Sequence, residues 1–386
     1  MNTQSIYLDN AATSFPKPEV VYQFADKFYR DWGANASRGQ YRMAAEATKL
    51  IEETRSQLLT LYQCNNNQVL FTSSATEALN KILLGLAISD ESSIYISPFE
   101  HNAVTRVVHA IGRSKKINIK LLPFDKKTLL FDREQATSYF ENLRPDLVIV
   151  THASNVCGAV LPLEEIFTCA KQYGAITVAD MSQTFGLLDC HLSSNDIDYA
   201  VFAGHKSLLA PFGVGGIICK EDAQLSPITF GGTGHNSLEQ GVPESLRDRI
   251  EVGSHNIYAL AGLNAALNWI TGQGLMRLRS LEQERTAILL NILRSYENIE
   301  IVADNAPCER IGVVSALFDN YSPDEIGRLL GDKGVAVRTG LHCSPYAHDF
   351  LGTSPNGTVR FSISCLTANE DFSVLKNALN FIRDNG

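Results

Sequence analysis

Short apolar runs alternate with helix-like segments through the middle of this chain, and that alternation constrains the fold more than any other feature. DLVIVTH leads into PLEEIFTCAKQYG, and the strand-like runs AITVAD, YAVFAG and GVGGIICK follow. Alternation of this kind predicts a mainly parallel β-sheet with helices on both faces. The glycine-rich FGVGG is followed by strand-like IICK rather than by a helix, so it does not fit a dinucleotide-binding loop.

The pattern changes at about Leu260. Two long helix-like stretches, broken near GQG, are followed by short strand-like runs and a last helix. A change of this kind predicts a second, smaller α+β unit at the C-terminal end. We predict a large domain at residues 16–260 and a small domain made of residues 1–15 and 261–386.

Composition and charge exclude several classes of function. The 386 residues carry a net charge of -9, which argues against a nucleic-acid or anionic-membrane surface. No apolar run approaches the roughly 18 residues that a membrane span needs, and the first residues, MNTQSIYLDN, do not resemble a signal peptide. The eight cysteines are scattered without a C-x-x-C pair, which predicts free thiols, a cytoplasmic protein and no metal site.

A lysine and an aspartate follow two strand-like runs. Lys206 comes after YAVFAGH, and Asp180 ends AITVAD. Open α/β sheets bind ligands at the carboxyl ends of their strands, and a lysine with a lowered pKa can form a Schiff base with a carbonyl. Together the two residues match a pyridoxal phosphate site, which needs a lysine for the carbonyl and an acid for the pyridine nitrogen. Singly, Lys206 also fits a surface loop and Asp180 a helix cap or turn.

Candidates for the phosphate and the ring follow other strand-like runs. In VLFTSSATEALN, the turn before a helix would aim the amide of Ala75 and the hydroxyl of Thr76 at an anion; plain helix capping is the alternative. His101 begins a helix in PFEHNAV and fits either a ring-stacking partner or a structural histidine. Asn155, in THASNVCG, follows a strand end where an amide can bond a ring hydroxyl.

The stretch VRTGLHCSP places a cysteine outside any core pattern. Cys343 lies between a histidine and a Ser-Pro turn. The thiolate is the reactive form of cysteine, and we expect Arg338 and His342 to supply positive charge beside it. Arg338 and Arg360 are also candidates for a substrate carboxylate, which a guanidinium binds with two parallel hydrogen bonds. Each arginine alone also fits a surface ion pair.

The motifs taken in order carry a family resemblance. The chain reads YLDNAATSFPKPEVV, NASRG, FTSSATEALN, EHNAV, SNVCGAVLP, ADMSQTFG, AGHK, EVGSHN, RTGLHCSP and TVRFSIS. In this it resembles the class V, fold-type I pyridoxal phosphate enzymes, and within them the cysteine desulfurase and selenocysteine lyase group. The resemblance implies an α/β fold, with a mainly parallel seven-stranded sheet in the large domain, a smaller α+β C-terminal domain and a homodimer.

The resemblance also gives each candidate residue a role. It makes Lys206 the Schiff-base lysine and proton shuttle, pairs Asp180 with the pyridinium and stacks His101 on the ring. The further implied roles are sulfur-accepting nucleophile for Cys343, ring-oxygen contacts for Asn155 and Gln183, phosphate contacts for Thr76, Ala75 and His205, a reach to the partner subunit's phosphate for Ser254, and substrate contacts for Arg360, Arg338, Arg38 and Asn155.

The implied reaction converts L-cysteine to L-alanine. The thiolate of Cys343 attacks the substrate sulfur and becomes a persulfide, which a sulfur-acceptor protein then discharges. The short run between Arg338 and Cys343 implies a restricted loop and therefore a dedicated acceptor. The chain departs from the family pattern at Ser37, where better-known members have a histidine, and at Ala75 and Ala203, where they have hydroxyl side chains.

Two other functions fit the same residues. One is a different pyridoxal phosphate reaction on this fold, such as selenocysteine lysis, β-elimination, epimerisation or transamination. Cys343 separates these, because a reaction that leaves a persulfide needs the thiol, whereas transamination and epimerisation do not. The other is a non-catalytic interaction or sulfur-carrier protein, which would be expected to lack the lysine that this chain retains as Lys206.

Overall fold

The computed structural model describes residues 5–36, 39–190, 192, 194, 196–232 and 240–385. Its strands are β1 Ile6–Tyr7, β2 Asn67–Thr72, β3 Ser93–Ile96, β4 Asn118–Leu121, β5 Leu147–Thr151, β6 Ile176–Asp180, β7 Tyr199–Ala203, β8 Gly215–Lys220, β9 Ile299–Ile301, β10 Val313–Phe318, β11 Val335–Ala336, β12 Arg338–Gly340 and β13 Thr358–Ser362. Its helices are α1 Glu19–Trp32, α2 Arg42–Leu61, α3 Ala75–Gly85, α4 Asn102–Ser114, α5 Arg133–Asn142, α6 Leu163–Lys171, α7 Leu246–Ile250, α8 Ile257–Gln273, α9 Leu275–Arg294, α10 Pro323–Asp332, α11 Pro345–Leu351 and α12 Asn369–Asn385.

The largest sheet has seven strands in the order β2-β8-β7-β6-β5-β3-β4. Neighbours from β7 to β4 are parallel, whereas β8 runs antiparallel to both β7 and β2. The predicted mainly parallel sheet is therefore confirmed. Because β2, β3, β5, β6 and β7 run in the same direction, their carboxyl ends lie at one edge of the sheet.

Both faces of this sheet are covered, as the apolar runs predicted. All five residues of β5 are buried, which is typical of a parallel strand between two layers of helices. Neighbouring residues of β5 contribute to different sides: Val148 belongs to the apolar cluster that includes α2, α6 and α8, and Ile149 to the cluster that includes α3 and α4. The period of two along a strand divides its side chains between the two layers.

A four-stranded antiparallel sheet, in the order β12-β13-β10-β9, lies in the C-terminal region. The long helical stretch before it is broken as predicted, since α8 ends and α9 begins at Gly274, whose φ of +83° suits glycine. The N-terminal end joins this region: β1 pairs with β11, and Asp9 bridges to Ser362. The boundaries 16–260 and 261–386 stay a prediction.

Three further observations bear on the sequence predictions. Within the described residues, no helix is both long and apolar enough to cross a membrane. The same residues contain no cluster of histidine, cysteine and carboxylate side chains that could hold a metal ion. All eight cysteines are free thiols, and Cys343 is half-buried.

Candidate active site

A cavity of about 210 Å³ opens at the carboxyl edge of the large sheet. Arg338 and Arg360, from the small sheet, form part of its wall. Most of the residues singled out in the sequence meet here. The predicted residues that line the cavity are Ala75, Thr76, His101, Asn155, Asp180, Gln183, His205, Lys206, Arg338 and Arg360.

Lys206 lies three residues after β7, beside the end of β6. Its Nζ makes no hydrogen bond or ion pair with another described residue. Burial lowers the pKa of Lys206 from 10.5 to about 8; Asp180 opposes that shift, and the charges of Arg360 and Arg338 add to it. A lysine whose pKa is lowered to about 8 loses its proton more easily than an exposed lysine and is a better nucleophile.

Asp180, the last residue of β6, is almost fully buried. Its Oδ1 accepts hydrogen bonds from the backbone N and the Oγ of Ser182, at 3.0 and 2.5 Å. Its Oδ2 accepts none from the described residues. A buried carboxylate normally has a cationic or hydrogen-bonding partner, so the Oδ2 of Asp180 is an acceptor available to a ligand in the cavity.

His101 caps the N-terminus of α4 and turns its ring toward the cavity. The Nδ1 of His101 accepts a hydrogen bond from the backbone N of Ala103 at 3.0 Å, which puts the proton of the neutral ring on Nε2. Burial lowers the pKa of His101 to about 4, and the charge of Lys206 adds to this shift. The cap therefore holds a flat, neutral imidazole in one orientation.

The N-terminus of α3 supplies anion-binding groups. Ser74 caps this helix by accepting a hydrogen bond from the N of Glu77, while the amides of Ala75 and Thr76 belong to the first turn and have no intrahelical acceptor. Gly215 lets the turn pack against β8, because a Cβ there would lie 2.8 Å from the N of Ala75. Unpaired helix amides and the helix dipole favour a phosphate here.

Two further predicted phosphate contacts, His205 and Ser254, line different clefts. His205 lines the cavity and stacks on Phe212 with ring centroids 4.7 Å apart, and its buried Nδ1 has no hydrogen-bond partner. Ser254 lies instead in a neighbouring cleft lined by Ser73 and Glu77. Ser254 therefore does not line the cavity of its own chain. The predicted substrate contact Arg38, and the departure at Ser37, lie outside the described residues.

The two arginines face each other directly across β12 and β13. Arg360 is almost fully buried; its Nη2 forms an ion pair with Asp9 at 2.5 Å, and its Nη1 donates to the O of Asn155 at 3.0 Å. Burial lowers the pKa of Arg360, and the charge of Asp9 opposes that shift. Like charges directly opposite one another destabilise a strand pair. The carboxylate of Asp9 alone does not balance the positive charge of the two arginines on this wall.

Cys343 lies in a tight turn beside the arginines. The Nη2 of Arg338 donates to its Sγ at 3.4 Å, which supplies the positive charge that the sequence predicted. His342 and Cys343 have φ values of +48° and +60°, a left-handed conformation that costs about 1–2 kcal/mol for each non-glycine residue. Hydrogen bonds must therefore hold the turn.

The structure corrects the expectation for His342 and shows further partners for Asn155. His342 does not supply positive charge to the thiol, because burial, followed by the charge of Arg360, lowers the pKa of its ring to about 2 and keeps it neutral. Asn155 uses its side chain on the turn: Nδ2 donates to the O of His342 at 2.7 Å, and Oδ1 accepts from the Oγ of Ser344 at 2.7 Å. Only one N–H of the Asn155 amide is then left for a ring oxygen.

Gln183 donates from Nε2 to the O of Ala11 at 3.0 Å, and Ala203 also lines the cavity. Sequence reasoning missed two acidic residues. Asp9 was not singled out within YLDNAATS, although its partner Arg360 was. Glu100 precedes His101, and burial raises the pKa of its fully buried carboxyl to about 8, with Oε2 unpartnered. The available sequence signal for Glu100 was an acidic residue at an otherwise apolar strand end.

Comparisons with known proteins agree with this arrangement. The family described as Aminotransferase class-V matches residues 6–375. A probable cysteine desulfurase of Aeropyrum pernix is 31% identical over 98% of this chain and 94% of its own length, and one of Methanothermobacter thermautotrophicus is 28% identical over 99% and 95%. The apo structure of a cysteine desulfurase from Thermococcus onnurineus NA1 superposes with a TM-score of 0.87, at 27% identity, covering 98% of this chain and 94% of that one.

The match extends over nearly the whole chain, includes both sheets and agrees with the resemblance seen in the ordered motifs. The chain belongs to the class-V aminotransferase family.

Proposed function

We propose that this protein is a pyridoxal phosphate-dependent cysteine desulfurase that converts L-cysteine to L-alanine and transfers the sulfur to Cys343. One observation carries the proposal. An unpaired lysine amine and a free carboxylate oxygen on the wall of the large sheet share a cavity with two arginines, one of which donates to the sulfur of Cys343. The curated relatives with the name cysteine desulfurase support the same reaction.

The residues present fit pyridoxal phosphate. The Oδ2 of Asp180 is a buried acceptor without a donor, which suits a protonated pyridine nitrogen, and the amides of α3 suit a phosphate. Bound pyridoxal phosphate supplies an electron sink for bonds around the substrate α-carbon. The residues that would hold it are Lys206 through Nζ, Asp180, His101 against the ring, Thr76, Ala75 and His205 at the phosphate, and Gln183 and Asn155 at the ring oxygen.

Lys206 and the two arginines divide the work on the substrate. Lys206, with its pKa lowered to about 8, takes up and returns protons at Nζ. Asp9 orients Arg360 through their ion pair, and Arg360 in turn orients the carboxylate of L-cysteine. The substrate carboxylate adds a second negative charge beside the two arginines. Arg338 donates to the Sγ of Cys343 and so places its guanidinium beside the sulfur that attacks the substrate.

The sulfur-transfer step balances without a further reagent. The Cys343 thiolate attacks the sulfur of L-cysteine, so that an S–S bond forms and the substrate carbon–sulfur bond breaks. The carbon takes a proton, and the products are L-alanine and a persulfide on Cys343. The contact between Arg338 and Cys343 favours this reaction over transamination or epimerisation, neither of which uses a thiol.

The proposal includes a homodimer in a reducing compartment such as the cytoplasm. Ser254 does not line the cavity of its own chain, which suits a contact with the phosphate bound by the partner subunit. The protein also has exposed aromatic side chains, which a subunit interface would cover. They include Phe212, beside His205, and Tyr29, against Tyr258. Eight free cysteines suit a reducing compartment.

Release of alanine and sulfide from L-cysteine, with reductant added, tests the proposal in wild type and in Cys343→Ala. We expect wild type to turn over, and the variant to lose both products while it keeps the visible absorbance of the bound cofactor. Cys365→Ala is the matched control, because it removes another half-buried thiol, which makes no hydrogen bond with Arg338. Equal activity of wild type and Cys343→Ala would refute the proposal.

A further inference from the structure

The turn that carries Cys343 is fixed to both sheets, and this sets the position of the thiol. We propose that Ser344 and Thr358 are positioning residues that hold the Sγ of Cys343 beside Arg338, by locking the turn from opposite sides. The inference rests on the proposed function, in which Cys343 receives the sulfur. It assigns roles to two residues that do not line the cavity.

The first attachment runs to the small sheet through a chain of hydrogen bonds. The Nε2 of His342 lies 2.9 Å from the Oγ1 of Thr358, whose hydroxyl reaches the Oγ of Ser315 at 2.9 Å, and Ser315 donates to the O of Val156 at 2.7 Å. The carbonyl of Val156 can only accept, so Ser315 must donate to it and Thr358 to Ser315. Thr358 is then left to accept, and His342 must carry its proton on Nε2.

The second attachment runs to the large sheet through Asn155, which follows β5. The Oγ of Ser344 donates to the Oδ1 of Asn155, and the Nδ2 of Asn155 donates to the O of His342. The amide therefore closes a ring over Cys343, with one bond to each neighbour of the cysteine. The carbonyl of His342 can only accept, so it fixes the Nδ2 of Asn155 toward itself and leaves Oδ1 to accept from Ser344.

A third hydrogen bond connects the turn to the start of α4, next to the candidate ring-stacking residue His101. The N of Asn102, the first residue of α4, donates to the O of Cys343 at 2.7 Å. His101 caps this helix, so the thiol and the imidazole are held by consecutive residues of one helix start. The carbonyls of both left-handed residues, His342 and Cys343, thus have donors, and the strained backbone is satisfied from outside the turn.

The arrangement has a consequence for sulfur delivery. A turn held at His342, Cys343 and Ser344 cannot swing outward without breaking bonds to Asn155, Asn102 and Thr358 together. The acceptor must therefore bring its nucleophile to the sulfur at Cys343, which agrees with the expectation of a dedicated acceptor.

Four proteins test the inference: wild type, Ser344→Ala, Thr358→Val and the matched control Thr358→Ser, which keeps the hydroxyl. Ser344 and Thr358 are fully buried and do not line the cavity, so no substitution removes a residue that would contact the cofactor. The first measurement is hydrogen–deuterium exchange of the backbone over residues 338–351, on holoenzyme without substrate. The second is the rate of persulfide formation on Cys343 in a single turnover of L-cysteine.

We expect Ser344→Ala and Thr358→Val to exchange at least about fivefold faster over this segment. Displacement of the thiol should slow persulfide formation by about 10–100-fold, with KM for L-cysteine within about twofold, because Arg360 is untouched. Thr358→Ser should match wild type in both measurements.

Wild-type exchange and persulfide rates in both Ser344→Ala and Thr358→Val would overturn the inference, as would a Thr358→Ser variant as impaired as Thr358→Val. If Thr358→Val does not fold, Ser344→Ala decides alone. Failure of wild type to form any persulfide would refute the proposed reaction instead, and the exchange comparison would still decide whether Ser344 and Thr358 hold the turn.

Discussion

The two walls of the cavity differ in how completely their polar groups are paired. On the wall of the large sheet, the Nζ of Lys206 and the Oδ2 of Asp180 lack partners among the described residues. On the opposite wall, both terminal nitrogens of Arg360 are engaged, and the turn at Cys343 is bonded through its backbone and neighbours. The first wall therefore has polar atoms free to meet a ligand, whereas most hydrogen-bonding atoms of the second are engaged within the protein, the buried Nε of Arg360 and Nδ1 of His342 excepted.

This difference separates two tasks. Polar groups left without partners cost free energy when they are buried, so we expect the free atoms at this strand edge to serve ligand binding. The hydrogen bonds on the other wall fix the geometry of the groups that bind and react. We therefore expect substitutions on the wall of the large sheet to change cofactor binding and proton transfer, and substitutions on the other wall to change substrate binding and sulfur transfer.

Lys206→Ala should have the largest effect. Loss of the amine removes both the group that would hold the cofactor and the proton carrier, so kcat for alanine release should fall by about 10³–10⁴-fold. Borohydride should no longer fix cofactor to the protein. Lys49→Ala is the control, because Lys49 is exposed on α2 in an ion pair with Glu53. Substantial remaining turnover in Lys206→Ala would show that the lysine is not part of the chemistry.

Lys206→Met should stabilise the cofactor-free protein in a pH-dependent way. Because the folded-state pKa is lowered from 10.5 to about 8, folding carries a cost of about 3 kcal/mol below pH 8 that fades as the pH rises toward 10.5. Chemical denaturation at pH 7 should show the variant more stable by about that amount, with little difference near pH 10.5. A difference that is independent of pH would contradict the lowered pKa.

Arg360→Lys and Arg338→Lys should separate binding from sulfur transfer. Loss of the guanidinium at Arg360 should raise KM for L-cysteine by about 30-fold, since a charge-assisted hydrogen bond contributes about 1.5–3 kcal/mol. Arg338→Lys should instead slow persulfide formation, with a smaller change in KM, because Arg338 contacts the Sγ of Cys343. Steady-state and single-turnover kinetics on both variants measure the contrast. Identical profiles would remove the distinction between the two arginines.

Thr76→Val should have the smallest effect. One hydroxyl at the N-terminus of α3 is lost while the helix amides remain, so the affinity for pyridoxal phosphate should fall by about tenfold. Fluorescence titration of cofactor-free protein measures it. Thr137→Val, which removes a hydroxyl bonded to the O of Arg133 on α5, should not change the affinity. An unchanged affinity in Thr76→Val would place the phosphate elsewhere.

The sequence predicted the large-sheet wall better than the wall of the C-terminal region. Lys206, Asp180 and Asn155 follow strands that alternate with helices, and parallel strands bring their carboxyl ends to one edge. The pairing of Arg360 with Asp9 joins residues that are 351 positions apart, and no local pattern reveals it. The same is true of the amide of Asn155, whose partners on the turn were visible only in three dimensions.

The charge beside the Cys343 thiol shows a second limit of prediction from the sequence. Arg338 and His342 both stand near Cys343 in sequence, yet only Arg338 supplies positive charge, because burial keeps the ring of His342 neutral. Spacing indicates which side chains can approach one another, whereas protonation depends on how deeply each is buried.

One measurement tests the central claim most directly: mass spectrometry of wild-type protein after a single turnover of L-cysteine without reductant, with alanine quantified in the same sample. The account predicts one added sulfur atom on the peptide that contains Cys343 for each alanine released. Alanine released while Cys343 stays unmodified, or pyruvate in place of alanine, would contradict the assignment of Cys343 as the sulfur-accepting residue.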